Sequence, residues 1–287
     1  MRLRVDNPDA SQVVDRRGMR SGAAVGGGLG VVGLIVAVLF NLLGGGDGGG
    51  AGFDINSQLN QIPGAQQGSP LPKTAAQEAE TKEITLIVNH VQQSWKDQFT
   101  KAGKQYPVAK LVLFEDVVST GCGQASSAVG PFYCPQDQQV YLDLGFFKDL
   151  QSKFGAPGDF AQAYVIAHEI GHHVQTVLGV EAEVRKKQQA NRDQANEFSV
   201  RMELQADCFA GVWGHSAFAG EQLDPGDLEE ALQAAEAIGD DRLQQQAGGR
   251  VNPESWTHGS SEQRNTWFRK GFDSGDPTAC DTFSGDA

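Results

Sequence analysis

The sequence predicts an α+β domain, mostly helical around a small antiparallel or mixed sheet, preceded by one transmembrane helix. Three patterns carry this reading. Apolar residues recur at helical spacing over 161–179, as Ala163, Ile166, Ala167, Ile170, Val174 and Val177. Gln139, Val140, Tyr141, Leu142, Asp143 and Leu144 alternate polar and apolar, the period of a half-buried strand. Residues 23–43 carry no charge and are strongly apolar at their centre.

Taken in order, residues 1–22 hold Arg2, Arg4, Arg16, Arg17 and Arg20 against Asp6, Asp9 and Asp15. This end is therefore net positive, although the 287-residue chain as a whole carries −13. At 1.5 Å per residue, 23–43 extends about 30 Å, the thickness of a bilayer core. Arginines before the run and none just after it place 1–22 in the cytoplasm and the rest outside. An uncleaved anchor is preferred to a cleaved signal peptide, because the leading tail is long and no small-x-small site follows Leu43. Residues 44–77, rich in Gly, Gln, Pro, Ser and Ala, read as a flexible linker. The domain then occupies 78–287. Its acidity speaks for solubility and against nucleic acid, which needs a basic footprint.

Within that domain, Ile84, Ile87, Val91, Trp95 and Phe99 mark one face of a helix ended by Gly103. Residues 109–114 read as a strand, and 121–135 as a loop dense in turn residues. The strand at 139–144 precedes the helix of 161–179, which suggests a sheet edge on which an extended peptide is laid. A purely structural strand fits the pattern equally. A charged segment from Glu181 runs into Phe198, Met202, Leu204, Phe209 and Trp213, one long helix that is polar first and buried later. Another helix opens at Asp224-Pro225 and ends at Gly239. A last one starts near Ser260 or Ser261. Cys122, Cys134, Cys208 and Cys280 all follow the apolar run, as a disulfide framework outside the cytoplasm requires. Of three possible pairings, Cys122–Cys134 and Cys208–Cys280 are preferred.

The chemistry concentrates at His168-Glu169-Ile170-Gly171-His172. One helical turn separates the two histidines, so both imidazoles can hold one divalent ion, and zinc accepts nitrogen readily. Glu169 is placed to reach a metal-bound water and act as its base. A catalytic zinc has three protein ligands and an open position. A third histidine further along the helix is excluded, since position 175 is Gln and 178 is Leu. Glu203-Leu204-Gln205-Ala206-Asp207 offers Glu203 as the third ligand, with Asp207 one turn on to receive the free N–H of a ligating imidazole. Asp207 itself, Glu181, Glu183 and Glu197 are the other acids to weigh. The last three lack a second acid four residues on. Small Gly171 and Ala206 permit the two helices to pack closely.

With these residues in place, the chain resembles the bacterial putative neutral zinc metallopeptidase family, and more remotely other peptidases with glutamate as third zinc ligand. The likeness rests on 168–173 and 203–207, on Asp15-Arg16-Arg17-Gly18, on the Gly121-Cys122-Gly123 to Pro131-Phe132-Tyr133-Cys134-Pro135 loop, and on Thr257-His258-Gly259-Ser260-Ser261-Glu262-Gln263-Arg264. It implies a zincin-like fold, one zinc per chain, and proteolysis by a membrane-attached enzyme. In similar peptidases a histidine or arginine outside the metal shell steadies the oxyanion, a contribution of about 3 kcal/mol. His258 is the best candidate for that role. Arg264 either assists there or serves as an ion-pair partner. His90 is expected to pack or lie at the surface, His173 to pack or to support a metal ligand, and His215 to be structural.

The expected function is a single-pass, zinc-dependent metalloendopeptidase whose partners are an envelope protein or peptide substrate and, through 23–43, the lipid bilayer. No nucleic acid is expected. The alternative is a zinc-bound binding or regulatory module without catalysis, which the intact Glu169 disfavours.

Overall fold

In the computed structural model, which describes residues 1–18, 73–248 and 250–284, helices cover one side of a small mixed sheet. The chain runs β1 (Val13–Asp15), α1 (Ala75–Lys101), β2 (Lys110–Phe114), β3 (Val117–Thr120), β4 (Gly123–Ser126), β5 (Phe132–Cys134) and β6 (Gln139–Asp143). It continues through α2 (Gly145–Ser152), α3 (Asp159–Leu178), α4 (Val180–Ala190), α5 (Ala195–Ala219), α6 (Asp227–Ala237), α7 (Asp240–Gln246) and α8 (Ser261–Ser274). The α+β class and the mixed sheet are as the sequence predicts. Among the described residues no helix is long and apolar enough to cross a membrane, and the expected span at 23–43 lies outside them.

The four-stranded sheet has the order β1-β2-β6-β5, with β1, β2 and β6 parallel and β5 antiparallel to β6. The strand at 139–143 is therefore internal. It is not the open edge suggested by its position before the helix. That edge is β5, a three-residue strand within the stretch read as a loop, drawn onto β6 and held by the Cys122–Cys134 disulfide. Three residues are too few for an alternation to show. The same stretch holds β4, which pairs with β3 as a separate hairpin.

The first residues are part of the domain. Val13, Val14 and Asp15 pair with Leu111, Val112 and Leu113, Leu3 is buried, and the Arg2 amide donates to Gln222 O at 2.8 Å. Setting 1–22 apart as a tail does not match these contacts. The linker expected to reach residue 77 is also shorter at its far end. Thr74 caps α1 in a reciprocal arrangement with Gln77, so the helix starts at Ala75.

α3 forms the centre of the helical side, with Phe160, Ala161, Ala163, Tyr164, Ala167 and Val174 wholly buried. It stops where Gly179 takes φ 80°, a left-handed cap that only glycine adopts readily. The long helix expected from 181 is two. α4 ends at Ala190, and α5 begins at Ala195. Gln188 ties them together, its Nε2 donating to Ala195 O and Ser199 Oγ. No Gly or Pro marks this break; Asn191 after the last helical residue and Lys187 in the last turn are the weaker stop signals there. α8 begins after its Ser260 cap, as expected, while α2 and α7 are short helices that the reading of periodicity passed over.

α5 and α8 approach until backbone meets backbone. A Cβ on Gly211 would strike Phe268 O, and one on Gly271 would strike Cys208 O. The Cys208–Cys280 disulfide closes the same region. Gly211→Ala must force these helices apart, and we expect a loss of about 2–3 kcal/mol, the upper range for overpacking. Thermal unfolding reads this as a fall of about 4–12 °C, given about 2–4 °C per kcal/mol for domains of this size.

Candidate metal centre

Residues four apart on α3 present Tyr164, His168 and His172 along one face, and α5 brings Glu203 and Asp207 against it. The close approach depends on Gly171, where a Cβ would lie 3.1 Å from Ala206 O. His168 Nε2 is 3.2 Å from Glu203 Oε2, and His172 Nε2 is 3.5 Å from Glu203 Oε1. All three residues offer a ligand atom within 4.8 Å of the others. Ligands placed tetrahedrally at about 2.0–2.1 Å from zinc lie about 3.4 Å apart, so this donor set fits the ion. The structure brings together the three residues that the sequence singles out.

Both imidazoles are oriented through their other nitrogen. His168 Nδ1–H donates to Asp207 Oδ1 at 2.8 Å, as the sequence suggests, and this frees the Nε2 lone pair for a metal. His172 Nδ1–H donates to Gln175 Oε1 at 2.8 Å. Gln175 is fully buried and is itself fixed by donating to Met202 O at 2.7 Å. Position 175, dismissed as a ligand for being glutamine, orients one instead. Its spacing of three residues from His172 was the available signal. Tyr164 also escaped notice; its hydroxyl donates to Asp207 Oδ1 at 2.6 Å.

Behind Asp207 lies Arg264, 1% exposed, donating through Nε and Nη2 at 2.8 and 2.9 Å. It is therefore the ion-pair partner and is sealed away from the cleft. A direct part in steadying the oxyanion does not fit this position. Burial opposes the charge on each partner, but each holds the other charged: Asp207 is kept below the usual carboxylate range and Arg264 above its ordinary value.

The electrostatics around the ligands suit a cation. Burial opposes the charge on Glu203, yet the imidazoles of His172, His168 and His258 hold its carboxyl below the usual range. Burial likewise disfavours a charged His168, but Asp207 and Glu203 push it up to about 10. These shifts describe a pocket of anions seeking positive charge, which a divalent ion supplies at neutral pH by displacing the proton. Glu169 is 8% exposed, and burial lifts its carboxyl above the usual range against the pull of the two histidines.

His258 precedes α8 on a loop that Asp240 organises. Asp240 accepts from the backbone amides of Thr257, His258 and Gly259 and, at 2.9 Å, from His258 Nδ1. Burial works against a charged His258, but Asp240 and Glu203 together hold its pKa above the ordinary value. His258 and Glu203 each favour the charged form of the other. Asp240 lies 18 residues from His258, and nothing in the local pattern marks it. His173, His90 and His215 pack as expected. His173 bridges Tyr133 and Pro107 O, His90 receives the Trp213 indole N–H, and His215 bonds Phe272 O.

The uncharacterized protein YpfJ of Escherichia coli K12 is 49% identical over 283 residues, covering 96% of each chain. The uncharacterized protein Rv2575 of Mycobacterium tuberculosis is 50% identical over 190 residues, covering 62% of this chain and 64% of its own. No solved structure matches. The profile described as putative neutral zinc metallopeptidase matches residues 1–283, and the chain belongs to that family.

Proposed function

We propose that the protein is a zinc-dependent endopeptidase attached to a membrane through 23–43, its domain outside the cytoplasm and its substrates proteins or peptides of the cell envelope. One observation carries the reading: His168, His172 and Glu203 converge on one point, and Glu169, the residue after His168, has a carboxyl that burial has made more basic. His168, His172 and Glu203 would hold one zinc, which supplies Lewis-acid polarisation of water and of the scissile carbonyl. Glu169 takes the proton of the attacking water and returns it to the leaving amine. His258, whose protonated form Asp240 favours, donates to the oxygen that becomes negative. The open edge of β5 offers main-chain groups to an extended substrate. Two disulfides support placement in an oxidising compartment.

The test is hydrolysis of casein by the purified full-length protein, with zinc content measured on the same sample. Activity that a chelator removes and zinc restores supports the reading, whereas zinc-loaded protein without activity refutes it. His258→Ala is expected to lower kcat by about 10²–10³ with little change in KM, the cost of one oxyanion donor. Its pH profile is also informative. A proton donor fails as pH rises through its pKa, and Asp240 holds that pKa up. Asp240→Asn therefore moves the alkaline limb of kcat to lower pH, which a pH–rate series with this variant detects.

A further inference from the structure

The residues up to Gly18 and those from Lys73 onward are separated in sequence by 19–72, yet they bind one another. Arg17, 5% exposed, donates to Asp15 at 3.0 Å, Glu80 at 2.7 Å, Thr81 Oγ1 at 2.7 Å and Gln77 O at 2.8 Å. Lys73 Nζ lies 3.0 Å from the same Asp15 carboxylate, which also accepts from Thr81 at 2.9 Å. Asp15 and Arg17 precede 19–72 in the sequence, and Lys73, Gln77, Glu80 and Thr81 follow it. The ion pairs clamp these two stretches together.

The clamp continues into the fold. β1 covers the edge of β2, Arg16 N donates to Leu113 O at 2.8 Å, and Val14 packs with Val112, Phe114 and Tyr141. Asp9 and Asn89 exchange two further hydrogen bonds with α1. Removing 1–18 to the far side of a bilayer would uncover the β2 edge and leave the Arg17 partners unmatched. A second crossing could bring the chain back, but it needs about 20 apolar residues. Residues 44–72 are instead rich in Gly, Gln, Pro and Ser.

From these contacts we infer that residues 1–18 and the described residues from Lys73 onward lie on the same side of the membrane. Two of the five arginines counted in placing 1–22 in the cytoplasm serve the fold. Arg17 is consumed by the clamp, and Arg2 is paired with Asp224 at 2.9 Å.

The test uses the full-length protein in bacterial cells. All four native cysteines are in disulfides, so an introduced thiol is the single reactive one. Asp6→Cys and Lys186→Cys are made separately, each at an exposed position. Intact cells are treated with a membrane-impermeant maleimide, before and after permeabilisation. Equal labelling of both variants under each condition is the expected result. Labelling of one in intact cells and of the other only after permeabilisation overturns the inference. Labelling of both only after permeabilisation upholds the shared side while refuting the extracytoplasmic placement. None of these outcomes depends on peptidase activity.

Discussion

Glu169→Gln is expected to keep its zinc and lose about 10²–10⁴-fold in kcat, the range supplied by a well-placed general base. Glu169 is adjacent to His168 but belongs to no ligand pair, so the amide leaves the donor set of His168, His172 and Glu203 intact. Zinc content and unfolding temperature should match wild type. A base acts only when deprotonated, so wild-type activity falls as pH drops through the Glu169 pKa. Burial holds that pKa above the usual carboxylate range, which places the acidic limb at higher pH than an exposed glutamate would give. The variant, without a titrating group there, should lose this limb along with its turnover. Activity within a few-fold of wild type would remove Glu169 from the mechanism. Loss of zinc would show that the carboxylate is needed to hold the metal.

How much of this site the sequence reveals depends on the distance over which each interaction is encoded. His168, Glu169 and His172 are fixed by a single helical turn, and Glu203 with Asp207 repeats the same four-residue spacing on a second helix. Helical period alone places these side chains on two faces, and the small residues Gly171 and Ala206 indicate how the faces meet. Asp240 and Arg264 contact their partners only because loops and helix packing bring them there, 18 and 57 residues away. No local period records such contacts. β1 shows the same limit more sharply. Its partner, β2, comes almost a hundred residues later, and its three residues followed by an apolar run read as a tail. The inner position of β6 was hidden for a related reason, because alternation identifies a half-buried strand but not its neighbours.

The ion pair behind the metal ligands should show stability and metal affinity responding separately. Arg264→Leu leaves the Asp207 carboxylate buried without its guanidinium, an uncompensated charge that typically costs about 3–5 kcal/mol. At about 2–4 °C per kcal/mol this is a fall of roughly 6–20 °C in Tm. The exposed pair of Arg185 with Glu181 on α4 should contribute under about 1 kcal/mol when broken, which makes it a useful control. Combining Arg264→Leu with Asp207→Leu removes both charges and should recover much of the lost stability, since well-packed apolar replacements of buried pairs are often neutral. Zinc binding will not recover with it. Asp207 orients His168, and loss of such a partner weakens metal affinity by about 10–100-fold. Acid provides a second view of the pair. Because Asp207 is depressed in the folded protein, its contribution is complete above about pH 4, the unfolded value, and is lost as pH falls through the folded value. The double variant should therefore unfold less steeply in acid than wild type. Equal acid sensitivity, or zinc affinity that returns with stability, would mean that Asp207 and Arg264 serve the packing of α3, α5 and α8 and not the metal centre.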